Sequence, residues 1–172
     1  MSGSAPAAAL VVNGWSLFAH PLFCGQVERL ISQVKELKQR NSADYARKNP
    51  TKRLAAINKL AFQAIPQDPA AREYRQGNTL GSSHSHWFRA TFFQQYRLFF
   101  RFHSESKVII LAWVNDEKTL RARESKDDAY SVFRKMLERG TPPTDWDQLL
   151  AEARAPESTE RLRRIAAGTA AT

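Results

Sequence analysis

Arg97 and Arg101 stand four residues apart in the run Tyr96-Arg97-Leu98-Phe99-Phe100-Arg101-Phe102-His103. If that run is a β-strand, its side chains alternate. Both guanidiniums then leave one face, with Phe99 between them and His103 beyond. Leu98, Phe100 and Phe102 point the other way, into a core. A face that mixes cations with rings suits RNA, because guanidinium grips phosphate and flat groups stack on unpaired bases. The plainer reading is two arginines on the solvated face of an antiparallel sheet, and strand pattern alone leaves both open. Arg89, in the preceding apolar run, shares that face if the loop between the runs is the three residues Phe93-Gln94-Gln95. A two-residue loop, Gln94-Gln95, would turn it inward. A buried, unpaired arginine is costly, which favours the longer loop and sends Phe92 to the core.

Two other groups lie close by. Asn115-Asp116-Glu117-Lys118-Thr119-Leu120-Arg121-Ala122-Arg123 follows a third apolar run and brings Lys118, Arg121 and Arg123 towards the same face. Taken alone it is an ordinary charged loop. His84 and His86 form a Ser-His-Ser-His stretch before the first run. No Cys, Asp or Glu nearby has metal-ligand spacing, so no metal is expected. His86 is the better placed for proton transfer. Paired carboxylates, a nucleophile elbow and a Walker-type loop are absent, and Gly77–Gly81 (GNTLG) reads as a turn.

The elements that must position these residues follow from periodicity. Val11 to Ala19 reads as a short strand interrupted at Asn13-Gly14. His20-Pro21 starts a helix whose apolar residues recur at Phe23, Val27, Leu30, Ile31, Val34 and Leu37, and Asn41-Ser42 ends it. A second helix spans roughly Asp44 to Ile65, kinked or restarted at Asn49-Pro50, with Asn49 as a cap. Pro66 to Ser85 is a connection. Then come three strands joined by short turns, His86–Phe93, Tyr96–His103 and Lys107–Val114, the last apolar on both faces and so central. A helix from about Asp127 to Arg139 ends at Gly140 and Pro142-Pro143. A short helix, Thr144 to Ala153, closes the order. The plan is an α+β domain over residues 11–150, with two early helices on one face of an antiparallel sheet. Residues 1–10 and 151–172, the latter basic and Ala-rich, read as loose tails.

Composition sets the partner class. The chain of 172 residues carries 26 Lys+Arg against 17 Asp+Glu, a formal net charge of +9. Such an excess favours a polyanion, although it also serves solubility. It is strongest between Val27 and Leu60, with nine Lys/Arg against three Asp/Glu. One cysteine, Cys24, rules out an intrachain disulfide. No signal-peptide pattern opens the chain and the longest apolar run, Val108–Val114, is strand-sized, so a cytoplasmic protein without a membrane span is expected.

The stretches VNGWSLFAHPLF, WFRATFFQQYRLFFRF, VIILAWVNDEKTLR and DDAYSVFRKMLERGTPPTDW resemble the YhaV family of bacterial toxins, from about Val11 to Trp146. The resemblance implies a RelE-like fold: an antiparallel sheet with two N-terminal helices on one face and a C-terminal helix. It implies a ribosome-associated, metal-independent endoribonuclease without cofactor, cleaving mRNA by attack of the 2′-hydroxyl and so inhibiting translation and growth. A PrlF-type, AbrB-like antitoxin would neutralise it and reach operator DNA in the complex. The RelE-type Tyr-Arg-Leu motif stands at Tyr96-Arg97-Leu98, which gives Arg97 a catalytic or phosphate-stabilising role. Arg89 takes the basic position on the preceding strand, and Tyr130 resembles the terminal tyrosine of such sites. Lys118, Arg121 and Arg123 follow the last strand in a longer loop than usual, which leaves open which of them is used. Thr91 stands where a second lysine is common, so that role is missing or falls to His86. The expected catalytic set is Arg89, Arg97, Arg121, Tyr130 and His86. Arg101, Lys118, Arg123, His84 and His103 are expected to contact RNA. The competing expectation is a non-catalytic RNA- or ribosome-binding module using the same face.

Overall fold

The structure is a computed structural model and describes residues 9–170. It is an α+β arrangement around a five-stranded, mostly antiparallel sheet of order β1-β2-β5-β4-β3. Strands β1 (Leu10–Val12) and β2 (Trp15–Ala19) form a hairpin where the sequence reading expects one interrupted strand. Asn13 (φ 50°) and Gly14 (φ 81°) make the turn, and both left-handed residues are what a tight Asn-Gly hairpin requires. β2 then pairs in parallel with β5 (Val108–Val114), which occupies the centre as expected. The long crossover between them contains α1 (Pro21–Arg40), α2 (Asn49–Lys59), a π-helical turn at Leu60–Ala64 and α3 (Ile65–Gln67), then β3 (Phe88–Phe92) and β4 (Tyr96–His103). The helical restart at Asn49-Pro50 is present, but Lys48 is the capping position and Asn49 is already helical.

The sheet has two covered faces. On the first, Leu17, Leu98, Phe100, Ile109 and Leu111 pack against Phe23, Val27 and Leu30 of α1 and Ile57 of α2. On the second, Phe99, Ile110, Ala112 and Trp113 pack against Tyr130, Phe133 and Leu137 of α4 (Ala129–Glu138) and Leu149 of α5 (Trp146–Ala153). A bulge between β4 and β5 pairs Phe99 with Trp113 and Phe100 with Leu111. It lets adjacent Ala112 and Trp113 share the second face, while alternation along β4 continues unbroken. The open face expected around Phe99 is therefore corrected. Phe99 stacks on Phe133 with ring centroids 4.2 Å apart, because the apolar stripe of α4 has nowhere else to be buried.

The C-terminal tail is corrected too. Residues from Pro156 form α6 (Pro156–Ala170), whose Leu162 and Ile165 are buried in the first core. Burying two such side chains contributes about 3–6 kcal/mol before entropic costs. Arg161 Nε donates to Glu28 of α1 at 3.1 Å and fixes the helix across the fold. Of the expected N-terminal tail, Leu10 belongs to β1, and residues 1–8 lie outside the described residues. Among the described residues no helix is long and apolar enough to cross a membrane.

Candidate active site

The β3–β4 hairpin pairs Phe92 with Tyr96, so its loop is the three residues Phe93, Gln94 and Gln95. Arg89 pairs with Phe99 and Thr91 with Arg97, which puts both arginines on the second face. There they meet Tyr130, in the first turn of α4. The Tyr130 hydroxyl accepts from Arg89 Nε at 2.8 Å and from Arg97 Nε at 3.0 Å. Arg121 lies over the same ring, its guanidinium carbon 4.6 Å from the centroid. Phe99 meets that ring edge-on at 5.6 Å, so the phenol is held from beneath. Three guanidiniums thus surround one phenol, drawn from β3, β4, the β5–α4 loop and α4.

Each is oriented by a partner. Arg89 Nη1 donates to the Glu73 carbonyl at 2.7 Å, and Arg97 Nη1 to the Gln94 carbonyl at 2.7 Å. Asp128 is buried and caps α4 by accepting from the Tyr130 backbone N–H at 3.0 Å. Its other oxygen accepts from Ala122 N at 2.7 Å and from Arg121 Nη1 at 2.8 Å. Asn115, also buried, accepts from Arg97 N at 2.7 Å and donates to the Thr119 carbonyl at 2.7 Å. These two residues fix the loop carrying Arg121 against the strand carrying Arg97. The sequence reading gives neither a site role: the helix start is placed at the neighbouring Asp127, and Asn115 figures only as part of a charged loop. The available signal for Asp128 was its place two residues before Tyr130.

Of these three guanidiniums, Arg121 is the one that pairs with the Asp128 carboxylate. Such an excess of half-buried positive charge suits a bound anion, and preorganised donors of this kind stabilise charge that develops on phosphate oxygens. Among the described residues, no group of three or more His, Cys, Asp or Glu side chains is placed to hold a metal.

The remaining expected residues lie elsewhere. Arg101 sits at the far end of β4 between the rings of Trp87 (5.5 Å) and Trp146 (5.3 Å) and donates to the Thr144 carbonyl. Burial pulls its guanidinium down to about 10, against the opposing pull of Asp145. It remains a cation at neutral pH. His103 lies 5.8 Å from the Trp146 ring, and His84 and His86 are 6.4 Å apart beside Trp87. His86 is exposed overall, yet desolvation of its ring, then Arg101 and His84, hold it below the usual imidazole range. Lys118 lines a small hollow with Gln26, Arg29 and Arg53, on the α1 side of the sheet. Arg123 is exposed between Arg121 and α4. A cavity of about 380 Å³ lies between α1 and α2 beside Arg53, Tyr96 and Glu117, with charges of both signs around it. It is apart from the Tyr130 cluster. The structure therefore brings together Arg89, Arg97, Arg121 and Tyr130, and gathers Arg101 with the histidines at a second position.

The family model that matches residues 17–154 describes a toxin with endonuclease activity, of a toxin-antitoxin system. The chain belongs to the YhaV toxin family. A ribonuclease toxin YhaV of Escherichia coli K12 is 46% identical over 143 residues, covering 82% of this chain and 93% of that protein. The toxin YhaV of Escherichia coli O6:H1 is similar to the same extent, 46% over 143 residues. No solved structure matches the chain. The Tyr130 cluster lies wholly within the segment that the YhaV model covers, as do Arg101, His84, His86 and His103.

Proposed function

We propose that this chain is a ribonuclease toxin that cleaves mRNA by attack of the 2′-hydroxyl, with the scissile phosphate held among Arg89, Arg97 and Arg121 beside Tyr130. The observation that carries the reading is the convergence of two guanidinium Nε atoms on one phenol oxygen, beneath a third guanidinium. In this mechanism O2′ loses its proton and bonds to phosphorus. The bond from phosphorus to O5′ breaks, and O5′ gains a proton, leaving a 2′,3′-cyclic phosphate and a 5′-hydroxyl. The arginines carry the charge that builds on the phosphate oxygens, since they stay protonated and serve poorly as bases. Tyr130 accepts both hydrogen bonds at its oxygen, so its own proton is available to the departing O5′. The same reading gives the 2′-hydroxyl proton to His86, whose imidazole is held below its usual range and stands with Arg101 rather than at the Tyr130 oxygen, so the RNA must bridge the two positions.

The same reading assigns RNA contacts to Arg101, Lys118, Arg123, His84 and His103. Its fold is RelE-like, with α1 and α2 as the early helix pair. The basic surplus on that pair, remote from Tyr130, supports docking to the ribosome. A PrlF-type antitoxin neutralises the toxin in the cytoplasm, and operator DNA is met only through their complex. No metal enters the transfer step.

Inducing the gene in a bacterium tests this. Wild type should arrest growth and create new mRNA 5′ ends, and Tyr130→Phe should slow cleavage by about tenfold to a hundredfold. Cleavage that a chelator abolishes would remove the metal-free mechanism. Arrest by Tyr130→Phe and Arg97→Ala at the wild-type rate would favour a non-catalytic RNA- or ribosome-binding module.

A further inference from the structure

Phe93 takes no part in the chemistry above. The residue is 53% exposed, and among the described residues only Val11 is a comparably exposed large hydrophobic. Its backbone lies in the left-handed region, φ 48°, as does that of Gln94, φ 64°. A residue with a Cβ is disfavoured there, whereas glycine would be at ease. A strained aromatic that faces water loses on both counts, and such outliers gather where function holds them.

The loop is firmly held. Gln95 N donates to the Phe93 carbonyl at 2.6 Å. The Gln94 carbonyl accepts from Arg97 Nη1 at 2.7 Å. The Gln95 carbonyl accepts from Arg121 N at 2.9 Å and from Asn115 Nδ2 at 3.1 Å. Two of the three arginines around Tyr130 therefore bond directly to the residues that follow Phe93. Behind it, Phe93 meets Phe92 edge-on at 5.7 Å, and Phe92 stacks on Tyr96 at 5.3 Å. The exposed ring ends a row of aromatics whose inner members, Phe92 and Tyr96, pack in the first core, and it stands at the tip of a loop whose backbone Arg97 and Arg121 bond.

We propose that Phe93 is a stacking platform for the nucleobase that flanks the phosphate held by Arg89, Arg97 and Arg121. This rests on the ribonuclease reading. A phenyl face accepts any base, so the platform sets where the strand lies and contributes to affinity with little sequence preference.

The test uses the full chain and two single-stranded probes, a mixed-sequence oligoribonucleotide and the same sugar-phosphate strand without bases, with binding read by fluorescence anisotropy. Phe93→Ala should weaken binding of the first roughly fivefold to a hundredfold. It should leave the abasic strand unchanged, and Phe93→Trp should retain affinity. Phe93→Gly should lose the same affinity while raising the melting temperature, since it removes the strain, and a merely structural side chain would not show that pair of effects. Unchanged binding by Phe93→Ala, or equal loss on both probes, overturns the platform. So does intact RNA binding with lost capture of the antitoxin, which would make Phe93 a protein-docking anchor. A wild-type chain that binds the first probe but never cleaves RNA overturns the ribonuclease reading while leaving the platform measurable. One that does not bind it overturns both.

Discussion

Arg97 and Arg101 leave the same face of β4, yet their surroundings differ. At the hairpin end, Arg97 shares the Tyr130 oxygen with Arg89 under the Arg121 guanidinium, and the buried Asp128 carboxylate pairs with Arg121. At the far end, Arg101 lies between two indoles and its donor goes to the Thr144 carbonyl, which ties the α4–α5 connection to the sheet. Residue type and strand alternation make the two equivalent. Their neighbours make one part of a crowded cationic cluster and the other mainly a clamp.

The largest effect that could break this contrast is on cleavage. Arg97→Ala should reduce it by about a hundredfold to a thousandfold, the usual loss when one preorganised donor to a developing anion is removed. Arg101→Ala should leave most of the rate. A parallel measurement of cleavage in the two variants decides, and equal losses would erase the distinction between the ends.

Next is His86, which stands with the Arg101 group and to which the proposed mechanism gives the 2′-hydroxyl proton. His86→Gln should lower the rate roughly a hundredfold. In wild type the acid limb of the rate profile should fall below the ordinary imidazole value of about 6.5, because burial and Arg101 favour the neutral ring that acts as base. A wild-type rate and profile in the variant would confine proton transfer to the Tyr130 end.

The clamp itself should show in stability. Arg101→Ala should cost about 2 kcal/mol, several degrees of melting temperature, from two cation–ring contacts and one hydrogen bond. An unchanged melting temperature would mean that Arg101 ties nothing down.

The smallest effect comes from a histidine belonging to neither end. His20 is buried at the start of α1, where its Nδ1 accepts from Leu22 N at 3.2 Å. Burial lowers its pKa, outweighing the opposing pull of Glu152. As pH falls through about 6.5, the unfolded chain therefore binds the proton first and stability declines. Melting temperature should drop between about pH 7.5 and pH 5.5, and His20→Asn, which keeps a capping oxygen, should flatten that drop. An equal drop in the variant would move the effect to other groups.

Much of the site was legible because β4 alternates without interruption. Arg97, Phe99 and Arg101 against Leu98, Phe100 and Phe102 gave the faces, and the cost of a buried Arg89 gave the loop length. The bulge could have spoiled this, but the extra residue is Ala112 on β5. What the second face carries was not legible from one strand. It depends on α4, whose apolar stripe comes some 30 residues later and has to find a surface. The clustering of Arg121 with Tyr130 needed Asp128, whose role is tertiary. The last helix is legible in Leu162 and Ile165, which stand at helical spacing, although the surrounding Ala, Glu and Arg have the composition of a tail.

Tyr130 sits in α4, after every strand of the sheet has been passed in chain order. A ribosome that has emitted the chain through β5 has exposed Arg89 and Arg97, but neither the phenol they bind nor the carboxylate that steadies Arg121. The Tyr130 cluster can close only once α4 has emerged and folded back across the sheet. A fragment ending near Val114 would carry the basic surface without the phenol, so under the proposed mechanism cleavage would begin only after most of the product is made.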